Sequence, residues 1–118
     1  MNKDKLYLIY IEEYINRVEQ YTQKGKNTFF KDIKTQDAVL RNLHTLSESI
    51  RRLSPQIKTK YPEVDWRSIV AFRNVVVHDY LSIDLNLIWD IIERDLPNLK
   101  NMIEIIKQEI GGETKNNR

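Results

Sequence analysis

Cysteine is absent from the 118 residues, which excludes disulfides and thiolate-held metals and suits a reducing, cytoplasmic setting. With only two histidines, His44 and His78, a histidine-rich metal centre is not expected. Three glycines and three prolines are too few for a loop-rich β architecture, whose turns depend on those residues. No apolar run approaches the roughly 18–20 residues needed to cross a bilayer. The Met-Asn-Lys-Asp-Lys start lacks the long apolar core and small-residue cleavage site of a secretion signal. A net charge of +2 is too weak to mark the whole chain as a nucleic-acid binder, so any basic footprint must be local. Also missing are a Gly-rich phosphate loop, an Asp-x-Asp pair for two-metal chemistry, and a serine or cysteine triad.

What is present is helical periodicity, almost throughout. Leu8, Ile11, Ile15, Val18 and Thr22 recur at steps of three and four, and a first helix carrying them should stop near Gly25. Phe29-Phe30 suits a short turn or helix plugging one end of the core. A second long helix is expected from about Thr35, with Leu40, Leu43, Leu46, Ile50 and Leu53 as its stripe and Ser54-Pro55 as its end. Residues 55–62 read as a connection, and Asp65 as the N-cap of a third helix. The last long segment starts near Ser82 to Asp84. Its seam runs Leu85, Ile88, Ile92, Leu96, Leu99, Ile103, Ile106 and Ile110. Pro97 should kink it, and Gly111-Gly112 should end it. The expected organisation is an all-α, four- to five-helix bundle over residues 1–110, with a kinked long C-terminal helix and a flexible tail over 111–118.

One position breaks the pattern. The apolar face of the third helix runs Trp66, Ile69, Val70, then Val76 and Val77, and the residue completing it is Arg73. A buried guanidinium requires a carboxylate, a phosphate or water in a cleft. A structural salt bridge is one reading. A second reading brings in His78, which titrates near neutrality. Residues five apart diverge by roughly 140° on a regular helix, so Arg73 and His78 converge only if the helix ends near His78 or if two copies share a cleft. Either arrangement suits phosphate-ester cleavage, with Arg73 neutralising the phosphorane and His78 moving protons. Asp79 could orient the loop, and Tyr80 brings a hydroxyl to the same opening.

Arg73, Asn74-Val75-Val76-Val77, His78, Asp79 and Tyr80 form Arg-x4-His-x-Tyr, which resembles the signature of HEPN-domain ribonucleases, most closely the HepT-type toxins. The resemblance extends through "TQDAVLRNLHTLSESI" and "YPEVDWRSIVAFRNVVVHDY". Asn74 matches the polar residue that commonly follows the motif arginine, while Asp65 stands where relatives often have proline. The resemblance implies a cytoplasmic, metal-independent endoribonuclease without cofactor, in which the RNA 2′-hydroxyl attacks its own phosphate. The substrate would be tRNA or mRNA, and Arg73 and His78 would be catalytic. It also implies a homodimer with facing motifs. The partner would be a minimal nucleotidyltransferase antitoxin that adenylates Tyr80.

Around this centre, Asp37, Arg41, His44, Glu48 and Arg51 form a polar stripe that reads first as a solvated ion-pair face, although Glu48 could instead reach Arg73 and orient it. Arg51, Arg52, Lys58, Lys60 and Arg67 could rim a cleft for phosphate. Tyr7, Tyr10, Tyr14 and Tyr21 share helical spacing that favours a core or dimer surface over base stacking. Two rival readings remain at this stage: a non-catalytic HEPN module that binds nucleotide or a partner, and a plain helical dimerisation domain with Arg73 in an ion pair.

Overall fold

The computed structural model describes residues 3–70 and 84–116, with side chains to residue 111. Helix α1 (Asp4–Tyr21) buries Leu8, Ile11, Ile15 and Val18, the stripe expected from the sequence. It ends at Thr22, whose hydroxyl donates to the Val18 carbonyl at 2.7 Å. Gly25 then takes φ +94, a left-handed conformation that favours glycine. The next helix, α2 (Lys26–Lys31), places Phe29 in the core. Phe29 packs edge-on to Phe30 and lies 5.5 Å, centroid to centroid, from Trp89.

Asp32 separates α2 from α3 (Ile33–Arg51) by accepting hydrogen bonds from the Lys34 and Thr35 amides. All five expected stripe residues, Leu40, Leu43, Leu46, Ile50 and Leu53, are buried. The connection expected over 55–62 contains a helix of its own, α4 (Pro55–Lys60), capped by Ser54 with Pro55 in its first turn. Proline suits that position, where its missing N–H is not needed. A fifth helix, α5, opens at residue 66 and is described through residue 70. Helix α6 (Leu85–Asp90) follows, capped by Asp84. It joins α7 (Leu96–Asn116) through a π-helical turn, Ile91–Asp95.

The chain is thus all-α, but more finely divided than a four- to five-helix bundle. Helix α2 is the short helix that Phe29-Phe30 suited, formed without a side-chain cap, and the added element is α4, which the Ser54 cap makes possible in what read as a connection. Helix α1 packs chiefly on α3 and also on α7. Lys100 to Glu19 and Lys107 to Glu12 stitch α1 and α7 in antiparallel order.

Two features of the C-terminal helix differ from expectation. The interruption at Pro97 takes the form of a π-turn: the Leu96 amide bonds to the Ile91 carbonyl, five residues back. Such a turn holds one extra residue, and it lies where the proline ring would otherwise crowd the carbonyl four residues earlier. Both Ile91 and Ile92 stay buried across it. In addition, the helix does not stop at Gly111-Gly112 but continues to Asn116. Glycine lowers helix propensity by only about 1 kcal/mol per residue, a penalty that does not by itself terminate a helix.

A tie not legible in the sequence holds the α1 start to the α3–α4 turn. Buried Asp4 accepts from the Ser54 amide at 2.8 Å and from its hydroxyl at 2.5 Å. Asp4→Ala removes a charged acceptor from both donors, and hydrogen bonds to charged groups contribute about 1.5–3 kcal/mol each. The variant should lose about 2–3 kcal/mol in urea unfolding; an unchanged midpoint would show that the tie is not stabilising.

Candidate functional site

The approach to Arg73 begins at α5, and four contacts fix that helix. Asp65 caps it, accepting from the Ser68 amide at 3.1 Å and the Ser68 hydroxyl at 2.6 Å. These bonds hold the Asp65 carboxyl below its ordinary value of 3.8. Bonds from Thr35, with help from Lys34, do the same for Asp32. Both caps therefore support their helices at neutral pH and lose that support as the pH falls through their lowered values. The Trp66 indole N–H donates to the Tyr61 carbonyl at 3.0 Å, and the Tyr61 hydroxyl bonds to Glu109 on α7. Finally, the Ser47 hydroxyl on α3 lies 2.9 Å from the Leu43 carbonyl and 3.3 Å from that of Ile69. Side chains from α3, the 61–65 turn and α7 thus fix where α5 starts.

Arg73, Asn74, His78, Asp79 and Tyr80 lie outside the described residues. Glu48 lies within them, on α3 one residue beyond Ser47. Its Oε2 accepts from Arg51 at 3.1 Å, and its side chain is only 22% exposed. Oε1 is shut off from solvent. His44, one turn earlier, is half-buried, with its Nδ1 shielded and without a hydrogen-bond partner among the described residues. The expected solvated ion-pair stripe is therefore divided. Asp37 and Arg41 are exposed, whereas His44 and Glu48 turn inward, on the side of α3 next to Ser47 and its contact with α5.

Among the rim residues, Arg51, Arg52, Lys60 and Arg67 are exposed. Lys58 folds back to donate to the Arg51 carbonyl at 3.2 Å, satisfying one of the free carbonyls at the α3 end. Burial pushes its ammonium pKa down, Asp4 opposing and Arg51 adding to the effect. Tyr7 and Tyr14 pack against the core, while Tyr10 and Tyr21 are exposed.

A cleft of about 380 Å³ separates the α5 start from α7, with Val64, Ile69, Leu99 and Met102 as its apolar lining and Glu63, Asp65 and Asp95 as its acids. Burial raises the Asp95 pKa; Arg94 opposes this, and Asp90 and Asp65 reinforce it. A cleft of that charge repels RNA phosphate. Of the exposed rim residues, Arg51, Arg52 and Lys60 lie elsewhere, at the α3 end and on α4, while Arg67 is on α5. Among the described residues, no cluster of three or more His, Cys, Asp or Glu side chains could hold a metal ion, and no helix is long and apolar enough to cross a membrane.

The family model described as "Ribonuclease HepT-like" matches residues 11–106. The chain belongs to the HepT-like ribonuclease family. It is similar to the "Gamma-glutamylcyclotransferase and putative RNase MJ0434" of Methanocaldococcus jannaschii, with 35% identity over 120 residues that cover 100% of the chain and 54% of that relative. The chain thus spans about half the length of that protein. The "Probable ribonuclease HepT" of Thermococcus cleftensis is 31% identical over 105 residues, covering 88% of the chain and 96% of the relative. The "mRNA nuclease HepT" of Shewanella oneidensis is 23% identical over 123 residues, covering 84% and 92%. No solved structure gives a significant match.

In this HepT-like chain the matched region contains both the α5 anchor and the whole Arg-x4-His-x-Tyr stretch. Sequence reasoning picked out Asp65 and Trp66 at the helix start, read Glu48 first as part of a solvated face, and passed over Ser47. Its signal was available: a hydroxyl four residues after Leu43 and seven after Leu40, adjoining the apolar stripe of α3.

Proposed function

We propose that this HepT-like protein is the toxin of a toxin–antitoxin pair, a metal-independent endoribonuclease acting on mRNA or tRNA. The observation that carries the reading is the family match across the segment holding Arg73, His78 and Tyr80. The name of the Shewanella relative as an mRNA nuclease supports RNA as the substrate. Arg73 binds the scissile phosphate and neutralises the phosphorane as the 2′-oxygen attacks phosphorus and the 5′-oxygen leaves. A His78 imidazole takes the 2′-hydroxyl proton, and an imidazolium returns one to the departing 5′-oxygen. Two motifs facing each other in a homodimer supply both imidazoles, and this meets the problem of two residues five apart on one helix. Glu48, drawn inward beside the α5 contact, orients Arg73, with Asn74 and Asp79 supporting the same turn. The exposed arginines and lysines of the α3 end and α4 hold flanking phosphates. A nucleotidyltransferase antitoxin silences the enzyme by adding adenylate to Tyr80.

The mechanism fixes the product. The purified protein should cleave RNA fully in excess EDTA and leave a 2′,3′-cyclic phosphate, detectable by mass spectrometry of the fragments. Loss of cleavage on chelation, or a 3′-hydroxyl product, would contradict it. A well-folded dimer with no cleavage of any RNA would favour a non-catalytic binding module.

A further inference from the structure

The outer face of α3 carries a row of cations. Lys34, Arg41 and Arg52 stand at successive steps along the chain that return to nearly the same side of a helix turning about 100° per residue. All three are exposed, and among the described residues none is held in an ion pair. At about 1.5 Å per residue the row is about 27 Å long. Between its cations the same side carries Ala38 and Thr45, short side chains that let a strand lie close to the helix. One end of the row adjoins Arg51, whose carbonyl accepts from Lys58. The other end opens into a cleft of about 350 Å³ formed by the end of α1, α2 and the start of α3.

The lining of that cleft decides what the row carries. A cation row alone would suit any polyanion. Tyr21 lines the cleft and stands 41% exposed, so its ring is available to stack on a base, a contact that every base can make. Gln20 and Gln23 add amides that both donate and accept, as base edges require. Lys24 and Lys34, in the same lining, supply charge for phosphate. The nearby acids oppose this weakly. Asp32 is occupied in capping α3, Glu48 accepts from Arg51, and Asp37 is the one exposed acid between Lys34 and Arg41 in sequence. A duplex would offer phosphates to the row but keep its bases stacked on one another, leaving no face for Tyr21.

We infer that single-stranded RNA lies along α3, with phosphates on Lys34, Arg41 and Arg52 and one base stacked on Tyr21 in the cleft. That the strand is RNA rests on the nuclease reading, whereas the path uses no residue of the motif. Such a path selects an unpaired stretch and not a sequence, because stacking and phosphate charge do not read base identity.

Fluorescence anisotropy with a labelled 2′-O-methyl oligoadenylate measures the path without cleavage, because the attacking hydroxyl is blocked. A length of about 20 nucleotides exceeds the roughly 4–16 that a single-strand site commonly spans. Tyr21→Ala should weaken binding about tenfold, the order of one stacked base. Tyr21→Phe keeps the ring and should bind like the wild type. Lys34→Gln, Arg41→Gln and Arg52→Gln should each flatten the slope of log affinity against log salt by about 0.7, the value for one phosphate contact on a single strand. Against the same strand annealed to its complement, Tyr21→Ala should have no effect. Unchanged affinity in Tyr21→Ala, an unchanged salt slope in the three cation variants, or no binding of the strand would overturn the path. Binding to phosphatidylserine vesicles instead, lost in Ile33→Ser, would assign this end to a membrane surface, since Ile33 is 71% exposed there. Cleavage is a separate readout. A wild-type protein that binds as described but cuts no RNA would sink the nuclease reading and leave the path standing, and one that cuts RNA while Tyr21→Ala binds normally would do the reverse.

Discussion

His78→Ala should leave the protein folded and nearly inert, with turnover lowered by ~10²–10⁴-fold, the usual contribution of a positioned acid–base group. The reasoning starts from scarcity. The chain has one other histidine, His44, and its shielded Nδ1 lies on α3, where α5 is fixed. Of the residue types at 73–80, histidine is the one that ordinarily titrates near neutrality. Arg73→Ala should be as damaging, because on the proposed mechanism it removes the charge that balances the phosphorane. Arg73→Lys should recover little, since a point charge does not reproduce the planar fork that grips two phosphate oxygens. Single-turnover cleavage of a labelled RNA, compared at equal protein concentration with circular dichroism as a folding control, separates these effects. Full activity in His78→Ala would remove the imidazole from the mechanism, and equal activity in Arg73→Lys would reduce the arginine to a generic cation.

Much of the frame was legible because periodicity and caps agree. The α1 and α3 stripes are buried as their spacing demands, and Asp65 and Asp84 cap the helices they precede. What escaped were contacts between residues far apart in the chain. Nothing near Asp4 in sequence announces Ser54, and the Tyr61 bond to Glu109 likewise joins distant segments. Local signals also misled where a propensity penalty is too small to decide the outcome. Gly111-Gly112 looks like a stop but is carried through by α7. Pro97 signals an interruption, yet whether a bend, a break or a π-turn results depends on Ile91 and Ile92 both remaining in the core. The candidate site divides in the same way. Arg73 on an apolar face was conspicuous from periodicity alone and drew His78 in beside it, whereas the choice between a helix end and two copies sharing a cleft came from the resemblance, because residues five apart on a regular helix diverge. The inward turn of Glu48 and His44 was hidden for a related reason. Polar residues at helical spacing read as a wet face until a neighbouring helix is placed beside them.

On the proposed control mechanism, Tyr80→Phe should give a protein that a nucleotidyltransferase partner cannot silence. The substitution removes one hydroxyl and keeps the ring, so packing is preserved, and the proton transfers assigned to His78 do not require a neutral phenol. The variant should therefore retain its fold and cleave RNA. The hydroxyl is, however, the group to which a nucleotidyltransferase would attach adenylate, forming a bond from the tyrosine oxygen to the α-phosphorus of ATP and releasing pyrophosphate. A phosphodiester at that position sets negative charge two residues from His78 and seven from Arg73. It then competes for the cation that an RNA phosphate needs, while the nucleotide fills the space. Charge competition and steric exclusion act in the same direction, as they do when phosphorylation occupies an arginine-lined site. Co-expression with a nucleotidyltransferase partner should rescue growth of cells carrying the wild-type chain but not the Tyr80→Phe chain. Intact-mass spectrometry of the rescued wild-type protein should show one or more adenylate-sized additions, placed on Tyr80 by peptide mapping. Rescue without a mass change would mean that the antitoxin acts by binding alone. Additions at another residue, or rescue of Tyr80→Phe, would move the control point away from Tyr80 while leaving the roles of Arg73 and His78 intact.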